Sequence, residues 1–195
     1  VKMGTLNIDM SKKLNKKQTV FYGLDGSMSN IFSDAYNENI QTEETRLIGT
    51  RYPDNSDYSS AAAYLSYRYK LNKRWIFNAA GRYSYVYAYA PFDTTQYAFS
   101  YDEIVFHTSA PNANLGVVCN IRPDWNVNAV LSSGFRAPNI DDLGKVFDSE
   151  PGAVVVPNPD LKPEYAYNLD LRSSKQFGDI IRLEAGGFYT ILNNA

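Results

Sequence analysis

The sequence of 195 residues has little of the side-chain chemistry that cysteine and histidine supply. Cys119 is its single cysteine, which excludes an internal disulfide framework and a multi-cysteine metal site. His107 is its single histidine, which argues against a histidine-rich metal site and a histidine-paired nucleophile. We therefore expect no metal site, no cofactor and no enzymatic activity.

Long apolar runs and an excess of one charge are also missing. No stretch of about 18 apolar residues occurs, and the mean hydropathy is -0.38, so the sequence predicts no transmembrane helix. The 19 Lys and Arg residues nearly balance the 21 Asp and Glu residues. A nucleic-acid-binding protein would carry a basic stripe, so we expect no nucleic-acid partner.

Aromatic residues, by contrast, are abundant. The chain has 16 Tyr, 10 Phe and 2 Trp residues, together with many asparagines. Tyrosine favours strands and membrane interfaces, and asparagine favours turns and polar interiors. This composition predicts β structure with one face in contact with water.

Apolar and polar residues alternate along much of the chain with a period of two. Leu65, Tyr67 and Tyr69, for example, alternate with Ser66 and Arg68. Such alternation is typical of strands and not of helices. The pattern predicts about eight strands. They lie near residues 2–12, 18–36, 60–71, 74–90, 109–122, 125–136, 164–175 and 180–192.

The predicted connections alternate between short turns and long loops. Short turns lie near residues 14–17, 71–74, 122–125 and 175–179, and long loops near 37–58, 91–108 and 137–163. Short turns at one end and long loops at the other are typical of an outer-membrane β-barrel with antiparallel up-and-down strands. Trp75 and Trp125 each follow a short turn, where an aromatic girdle would lie.

Strand length and the polar set favour a membrane barrel over a soluble β-sandwich, which would also alternate. Several runs exceed the roughly 9–11 residues that a tilted membrane strand needs. The polar set contains arginines that suit a water-filled or plugged interior, and we interpret them as candidate contacts for a plug. The candidates are Arg68, Arg82, Arg122, Arg136 and Arg172; Arg182 also belongs to the polar set.

The number of strands in the complete barrel stays open on these patterns. Eight strands can close into a small barrel with a passive pore, an adhesive role or a structural role. Both ends of the chain fall in strand-like sequence, and long polar side chains would crowd a narrow interior. We therefore expect residues 1–195 to be part of a larger barrel, with no plug domain among them.

Two sequence boxes and a third short segment lie near predicted strand ends in the last third of the chain. The segment Ser133–Leu143 contains the first box, Phe135-Arg136-Ala137-Pro138, and the segment Phe188-Tyr189-Thr190 follows one hairpin after the second box. The second box consists of Asn158, Pro159, Asp160, Leu161, Lys162, Pro163 and Glu164. In order, separation and strand context, this set resembles TonB-dependent outer-membrane receptors. The resemblance is sharpest over residues 127–195.

The two boxes also have a local physical interpretation. Arg136 is in phase with the polar set, where a guanidinium pairs with carboxylates or with plug backbone. Pro138 lacks an amide donor and fits the point where a strand leaves its ladder. Pro163 stiffens the return of the loop, and Glu164 is placed to meet a neighbouring basic side chain. We interpret both boxes as structural markers and not as a ligand site.

The family resemblance implies active nutrient uptake across the outer membrane of a Gram-negative bacterium. It implies a barrel of about 22 strands around an N-terminal plug, of which this chain would supply about eight. Its implied partners are the lipid bilayer, the TonB complex acting through the plug, and a ligand. That ligand would be a metal chelate such as an iron–siderophore, haem, or a corrinoid such as cobalamin.

Aromatic residues in the predicted loop Pro91–Thr108 are candidates for ligand contact. Tyr97, Phe99, Tyr101 and His107 would stack on a flat or apolar ligand, or else form the upper interfacial belt of the barrel. Receptors of the family that bind haem usually carry a histidine between the two boxes. Residues 137–157 contain none, which disfavours haem.

Two further groups of residues have competing interpretations. Asp141, Asp142, Asp148 and Glu150 would suit a calcium ion, but a solvated acidic loop is the simpler expectation. An outer-membrane hydrolase would need a serine with a histidine partner, and the serines of residues 132–133 have none in the sequence pattern.

Overall fold

The computed structural model of the chain describes residues 1–48, 50, 52–92, 102–150 and 153–194. For residues 147–150 and 153–155 only the backbone is described. The elements in chain order are β1 (Lys2–Lys13), β2 (Gln18–Ile31), β3 (Tyr36–Glu38), β4 (Thr45–Leu47), β5 (Ser56–Lys70), β6 (Trp75–Pro91), β7 (Glu103–Arg122), β8 (Trp125–Arg136), α1 (Ile140–Gly144), β9 (Phe147–Glu150), β10 (Ala153–Val155), β11 (Glu164–Phe177) and β12 (Ile181–Asn193).

Eight long strands form one antiparallel sheet, in the order β1-β2-β5-β6-β7-β8-β11-β12. Each strand pairs with its neighbour along the chain, and the connections between them are alternately short and long. Two small hairpins, β3–β4 and β9–β10, lie within the long connections. The eight predicted strands and their up-and-down order are therefore confirmed.

Three strand boundaries differ from the sequence-based prediction by four or more residues, and all three lie at the long-loop end. Strand β2 ends at Ile31 instead of near residue 36, β5 begins at Ser56 instead of near residue 60, and β7 begins at Glu103 instead of near residue 109. The ladder between β6 and β7 runs without a break from Trp75 opposite Cys119 to Pro91 opposite Glu103. Pairing with β6 therefore extends β7 through residues that read as a loop in the sequence.

The sheet does not close on itself within the described residues. Strands β1 and β12 lie at opposite ends of the strand order, and no described ladder joins them. A closed eight-stranded barrel would require that pairing. The small closed barrel that the sequence left open is therefore not the arrangement found.

One face of the sheet, here called the apolar face, carries the apolar set of each strand. The register aligns Leu131 with Leu115 on one side and with Leu169 on the other. Leu65, Leu131 and Leu169 are 57%, 56% and 43% exposed. A β-sandwich would bury these side chains beneath a second sheet. Their exposure matches a face that contacts lipid.

The opposite face, here called the polar face, carries the charged and hydroxyl side chains. Arg82 lies opposite Tyr64, Arg68 opposite Asn78, and Arg172 opposite Asn128. Because side chains alternate strictly along a strand, the arginines of β5, β6 and β11 share this face. The predicted division between an apolar and a polar face is thus found in the sheet.

The buried core of the described chain lies on the polar face, at its long-loop end. It joins residues of β6 and β7 to the segment containing α1, and its members are Val86, Ala88, Ala90, Ile104, Phe106, Ala137, Ile140 and Leu143. No described helix is long and apolar enough to cross a bilayer. Helix α1 instead covers the polar-face side of the wall.

Candidate functional site: the polar face and its rim

Helix α1 is short, and its N-terminus is fixed by a reciprocal pair of hydrogen bonds. The Asn139 side chain accepts from the Asp142 backbone N–H at 2.9 Å, and the Asp142 carboxylate accepts from the Asn139 backbone N–H at 3.1 Å. This capping box satisfies two amide donors that a helix start otherwise leaves without a partner. The box gives the loop a defined conformation at the point where it leaves β8.

The helix is held against the wall by apolar contacts. Leu143 is 0% exposed, and Ile140 is also buried in the core with residues of β6. Gly144 approaches so closely that an added Cβ would lie 2.6 Å from the Pro53 ring and 3.5 Å from the Ala90 Cβ. The loop that contains Pro53 and the loop that contains α1 therefore meet over the same part of β6. Their packed residues, at the long-loop end of the sheet, are here called the rim.

Arg136 connects the first box, the second box and the helix. Its Nη1 donates to Glu164 Oε1 at 2.9 Å, and its Nη2 donates to Asp142 Oδ2 at 2.6 Å. Arg136 and Glu164 lie directly opposite each other in the β8–β11 ladder. Because the guanidinium is about half exposed, these pairs add little to global stability, and their main consequence is geometric.

The second box shapes the return of the loop to the sheet. Asn158 Oδ1 accepts from the Asp160 backbone N–H at 2.9 Å, and Leu161 packs against the core. The Pro163 carbonyl accepts from Asn194 Nδ2 at 3.3 Å. Residues of both boxes, together with Asp142 and Asn194, line a cavity of about 390 Å³.

The aromatic and small residues of the boxes occupy different surroundings. Phe135 lies opposite Tyr165 in the β8–β11 ladder with 6.0 Å between the ring centroids, and it also packs against the core. Ala137 and Pro138 are buried where β8 ends, whereas Pro159 is exposed. The structure thus brings the two boxes together at the rim.

A second charged cluster lies lower on the polar face. Arg82 binds Asp25 through two hydrogen bonds of 2.5 and 2.7 Å, and its Nε donates to Ser84 at 3.1 Å. The Tyr64 hydroxyl donates to Asp9 at 2.5 Å. These contacts neutralise Arg82 within the wall. They also tie four neighbouring strands, β1, β2, β5 and β6, together through their side chains.

The other predicted arginines differ in their surroundings. Arg68 is exposed on the polar face, and no described carboxylate pairs with it. Arg172 lies 3.4 Å from Asp170, over Gly186. Arg122 departs from its predicted position on the polar face. A register shift after Asn120 places it opposite Trp125 at the short-turn end of the sheet.

The predicted ligand contacts are placed only in part. Tyr97, Phe99 and Tyr101 lie outside the described residues. His107 was expected in a loop but lies inside β7, exposed and opposite Tyr87 on the apolar face. This position puts it among the side chains of the outer surface, at the height of the rim but on the opposite face of the sheet. Its contact with a ligand stays a prediction.

The acidic loop is organised by ion pairs where it is described. Asp142 binds Arg136, and Asp141 lies 3.3 Å from Lys145. The side chains of Asp148 and Glu150 are outside the description. Among the described residues, no three His, Cys, Asp or Glu side chains are grouped to hold a metal ion.

Sequence reasoning missed the docking surface beneath α1. Its signal is present, because the polar set of β6 becomes apolar at Val86, Ala88 and Ala90. Asn139 and Asp142 have the spacing of a capping box. An apolar patch on the polar face of β6, together with a helix start in a later long loop, would have indicated that the helix packs on this patch.

Comparisons with known proteins agree with this architecture. Residues 3–195 match the family profile described as TonB dependent receptor-like, beta-barrel. The copper transporter OprC superposes with a TM-score of 0.80 and 14% identity, over 97% of this chain and 30% of that chain. No curated protein matches the sequence at a significant level.

Two further solved structures share the fold at similarly low identity. The hemophore receptor HasR of Serratia marcescens, solved with its hemophore HasA and heme, gives a TM-score of 0.70 and 14% identity, over 97% of this chain and 32% of that chain. The iron transporter FrpB of Neisseria meningitidis gives 0.65 and 15%, over 97% and 28%. The chain thus spans about a third or less of the length of these proteins.

Proposed function

The chain belongs to the TonB-dependent receptor β-barrel family, and from that premise we propose that it forms wall and rim of a receptor for active nutrient uptake. Receptor barrels of this family lie in the outer membrane of Gram-negative bacteria, which is the location of this chain. In the proposed mechanism the rim helps to capture a nutrient outside the cell. TonB then acts through a plug inside the barrel and releases the nutrient inward.

The observation that carries this proposal is the junction at Arg136. One guanidinium binds Asp142 of helix α1 and Glu164 of the second box, while α1 packs on the inner side of the wall. A receptor needs a shaped rim above a plug, and this arrangement provides a part of one.

We propose a metal-containing nutrient as the cargo. The solved relatives include a copper transporter, an iron transporter and a hemophore receptor, each by its own title. An iron–siderophore, haem or cobalamin would suit a family receptor. The aromatic residues Tyr97, Phe99 and Tyr101 remain the proposed ligand contacts of this chain, because aromatic rings stack well on flat or apolar ligands.

The arginines of the polar face divide into two proposed groups. Arg82 is already neutralised by Asp25 through two short hydrogen bonds, so it serves the wall itself. Arg68 has no described carboxylate partner, and Arg172 has only the longer contact with Asp170. We assign plug contact to Arg68 and Arg172, since each has donors left for acceptors on a plug.

The test separates capture from transport in cells that carry the intact receptor. Surface binding and accumulation of a radiolabelled iron–siderophore, haem or cobalamin are measured with the inner-membrane proton gradient intact and after its dissipation. We expect binding to persist and accumulation to stop when the gradient is lost. Accumulation that continues without the gradient would indicate a passive barrel and contradict the proposal.

A further inference from the structure

The charges of the chain are strongly separated along the strand direction. The short-turn end, defined as residues 12–18, 70–75, 121–125 and 174–182, contains ten of the 19 Lys and Arg residues but only two of the 21 Asp and Glu residues. The ten are Lys12, Lys13, Lys16, Lys17, Lys70, Lys73, Arg74, Arg122, Lys175 and Arg182. A chain that is nearly neutral overall therefore has one strongly cationic end.

Aromatic side chains of the apolar face accompany this charge. The Arg74 guanidinium lies 5.9 Å from the centre of the Trp75 ring. The Lys175 ammonium lies 5.3 Å from the Trp125 ring and 4.9 Å from the Phe177 ring. A cation held over an aromatic ring at the end of a membrane strand sits at headgroup depth, where the ring is half in lipid.

An apolar groove begins beside one of these cation–aromatic pairs. It starts at Tyr69 and Phe77, crosses β7 and β8, and ends at Leu169 on β11, with a cavity volume of about 490 Å³. Ala79 and Ala129 leave its floor low because their side chains are short. Strands in a barrel are tilted and staggered, so successive short turns lie at shifted positions along the strand direction. A groove that runs perpendicular to the strands therefore begins near one short turn and ends closer to the middle of the membrane.

Three cations lie on the two turns beside the shallow end of the groove, and Trp75, the neighbour of Arg74, stacks on the groove residue Phe77 with 6.4 Å between ring centroids. The Lys17 carbonyl accepts from the Lys70 backbone N–H at 2.8 Å, which joins the first turn to the second. The Arg74 carbonyl accepts from Asn120 at 2.7 Å. Within the part of the chain that the structure describes, no carboxylate pairs with Lys17, Lys73 or Arg74.

We propose that this groove binds an anionic phospholipid of the leaflet at the short-turn side. Lys17, Lys73 and Arg74 hold the phosphate, and the groove holds an acyl chain. Long cationic side chains reach the headgroup layer while their stems cover apolar surface. A zwitterionic lipid would neutralise less of the cluster, and an acidic peptide would leave the groove empty. The site is independent of the nutrient that the receptor carries.

The first test uses native mass spectrometry of the intact receptor. The protein is equilibrated with equal amounts of phosphatidylglycerol and phosphatidylcholine, and the retained lipid is identified. We expect preferential retention of phosphatidylglycerol, and we expect the double variant Lys73→Gln with Arg74→Gln to lower it about 30-fold, since each surface cation contributes to anionic-lipid attraction. Lys2→Gln with Arg46→Gln removes the same two charge types at the opposite end and should change nothing.

A second variant tests the groove separately from the charges. Ala129→Phe fills the floor of the groove, so it should lower retention of long-chain phosphatidylglycerol but not of the dihexanoyl form. Equal retention of the two lipids by the unchanged protein would overturn the proposal, as would equal losses in both double variants. Binding of polyglutamate is measured in the same proteins as a stand-in for an acidic protein. If Lys73→Gln with Arg74→Gln lost polyglutamate binding but kept its phosphatidylglycerol retention, the partner would be an acidic protein, and the lipid proposal would also be overturned.

Discussion

Arg136 reaches two carboxylates that belong to different segments of the rim, Asp142 of α1 and Glu164 of the second box. The variant Arg136→Ala removes both contacts, while the capping box and the apolar contacts of α1 remain. We predict that it lowers uptake more than surface binding of the nutrient. Arg136→Lys should be intermediate, because a lysine ammonium cannot reproduce the two-pronged contact.

Uptake and binding are compared for these variants in whole cells at matched receptor levels. Folding is checked by the heat-dependent mobility of the barrel on gels. Equal losses of uptake and binding would show that Arg136 acts in capture alone and would contradict this role.

Gly23 shows how closely side chains pack on the polar face. An added Cβ would lie 2.6 Å from the Tyr64 ring and would collide with the Ile8 carbonyl of the next strand. We predict that Gly23→Ala destabilises the protein by about 1–3 kcal/mol, as overpacking does in a core. Gly134→Ala is the matched control on the same face, since nothing lies within 4 Å of its added Cβ. Thermal unfolding in detergent measures both, and similar midpoints would refute the packing argument.

Single-residue positions were predictable wherever the two-residue period held. The phase that placed Arg68, Arg82 and Arg172 on one face needs only alternation within each strand. The position of Arg122 was predicted wrongly because the ladder shifts register after Asn120 and pairs Arg122 with Trp125. Such a shift depends on strand pairing and leaves no mark in the alternation of the sequence. The ion pairs of Arg136 depend on the β8–β11 register and on the folding of α1. The sequence therefore predicts that Arg136 can pair with a carboxylate, but it does not identify Asp142 and Glu164 as the two partners.

Helix α1 is the element that long strands alone would not predict. Its stability rests on Leu143, which is fully buried against β6. We predict that Leu143→Ala costs about 2–5 kcal/mol of local docking energy and frees the helix from the wall. Leu47→Ala makes the same change at an exposed leucine of another long loop and should have no such effect.

Hydrogen exchange of the backbone amides of residues 139–146 measures this effect. Exchange should become faster in Leu143→Ala and stay unchanged in Leu47→Ala. Unchanged protection in both variants would mean that the rim is held without the apolar contact.

The elements were predicted to the extent that they are long and periodic. Strands such as β6 and β8 show the pattern over a dozen residues or more, and the structure places them close to their predicted bounds. The five residues of α1 are too few to show a helical period. The start of β7 is supported by pairing with β6 and not by its own alternation, so the sequence alone predicts a loop there.

At the scale of the whole chain, two separations organise the molecule. Apolar and polar side chains occupy opposite faces of the sheet, and most cations lie at the short-turn end. The first separation places the sheet between lipid and a polar interior, and the rim and plug proposals depend on it. The second separation places the cationic short turns at the depth of the lipid headgroups, and the phospholipid proposal depends on it.

The most direct test of the central claim compares sequence neighbours on opposite faces. Cys119→Ser removes the single thiol of residues 1–195, and any cysteine of the intact receptor outside them is replaced by serine as well. Nitroxide labels are then placed at Leu65 and Ser66, Leu131 and Ser132, and Leu169 and Asn168 of this receptor in vesicles. Collision with oxygen reports lipid, and collision with a water-soluble nickel chelate reports water. We predict that each leucine position favours oxygen and that its neighbour favours the nickel chelate. Equal or reversed accessibilities within the pairs would contradict the assignment of the two faces.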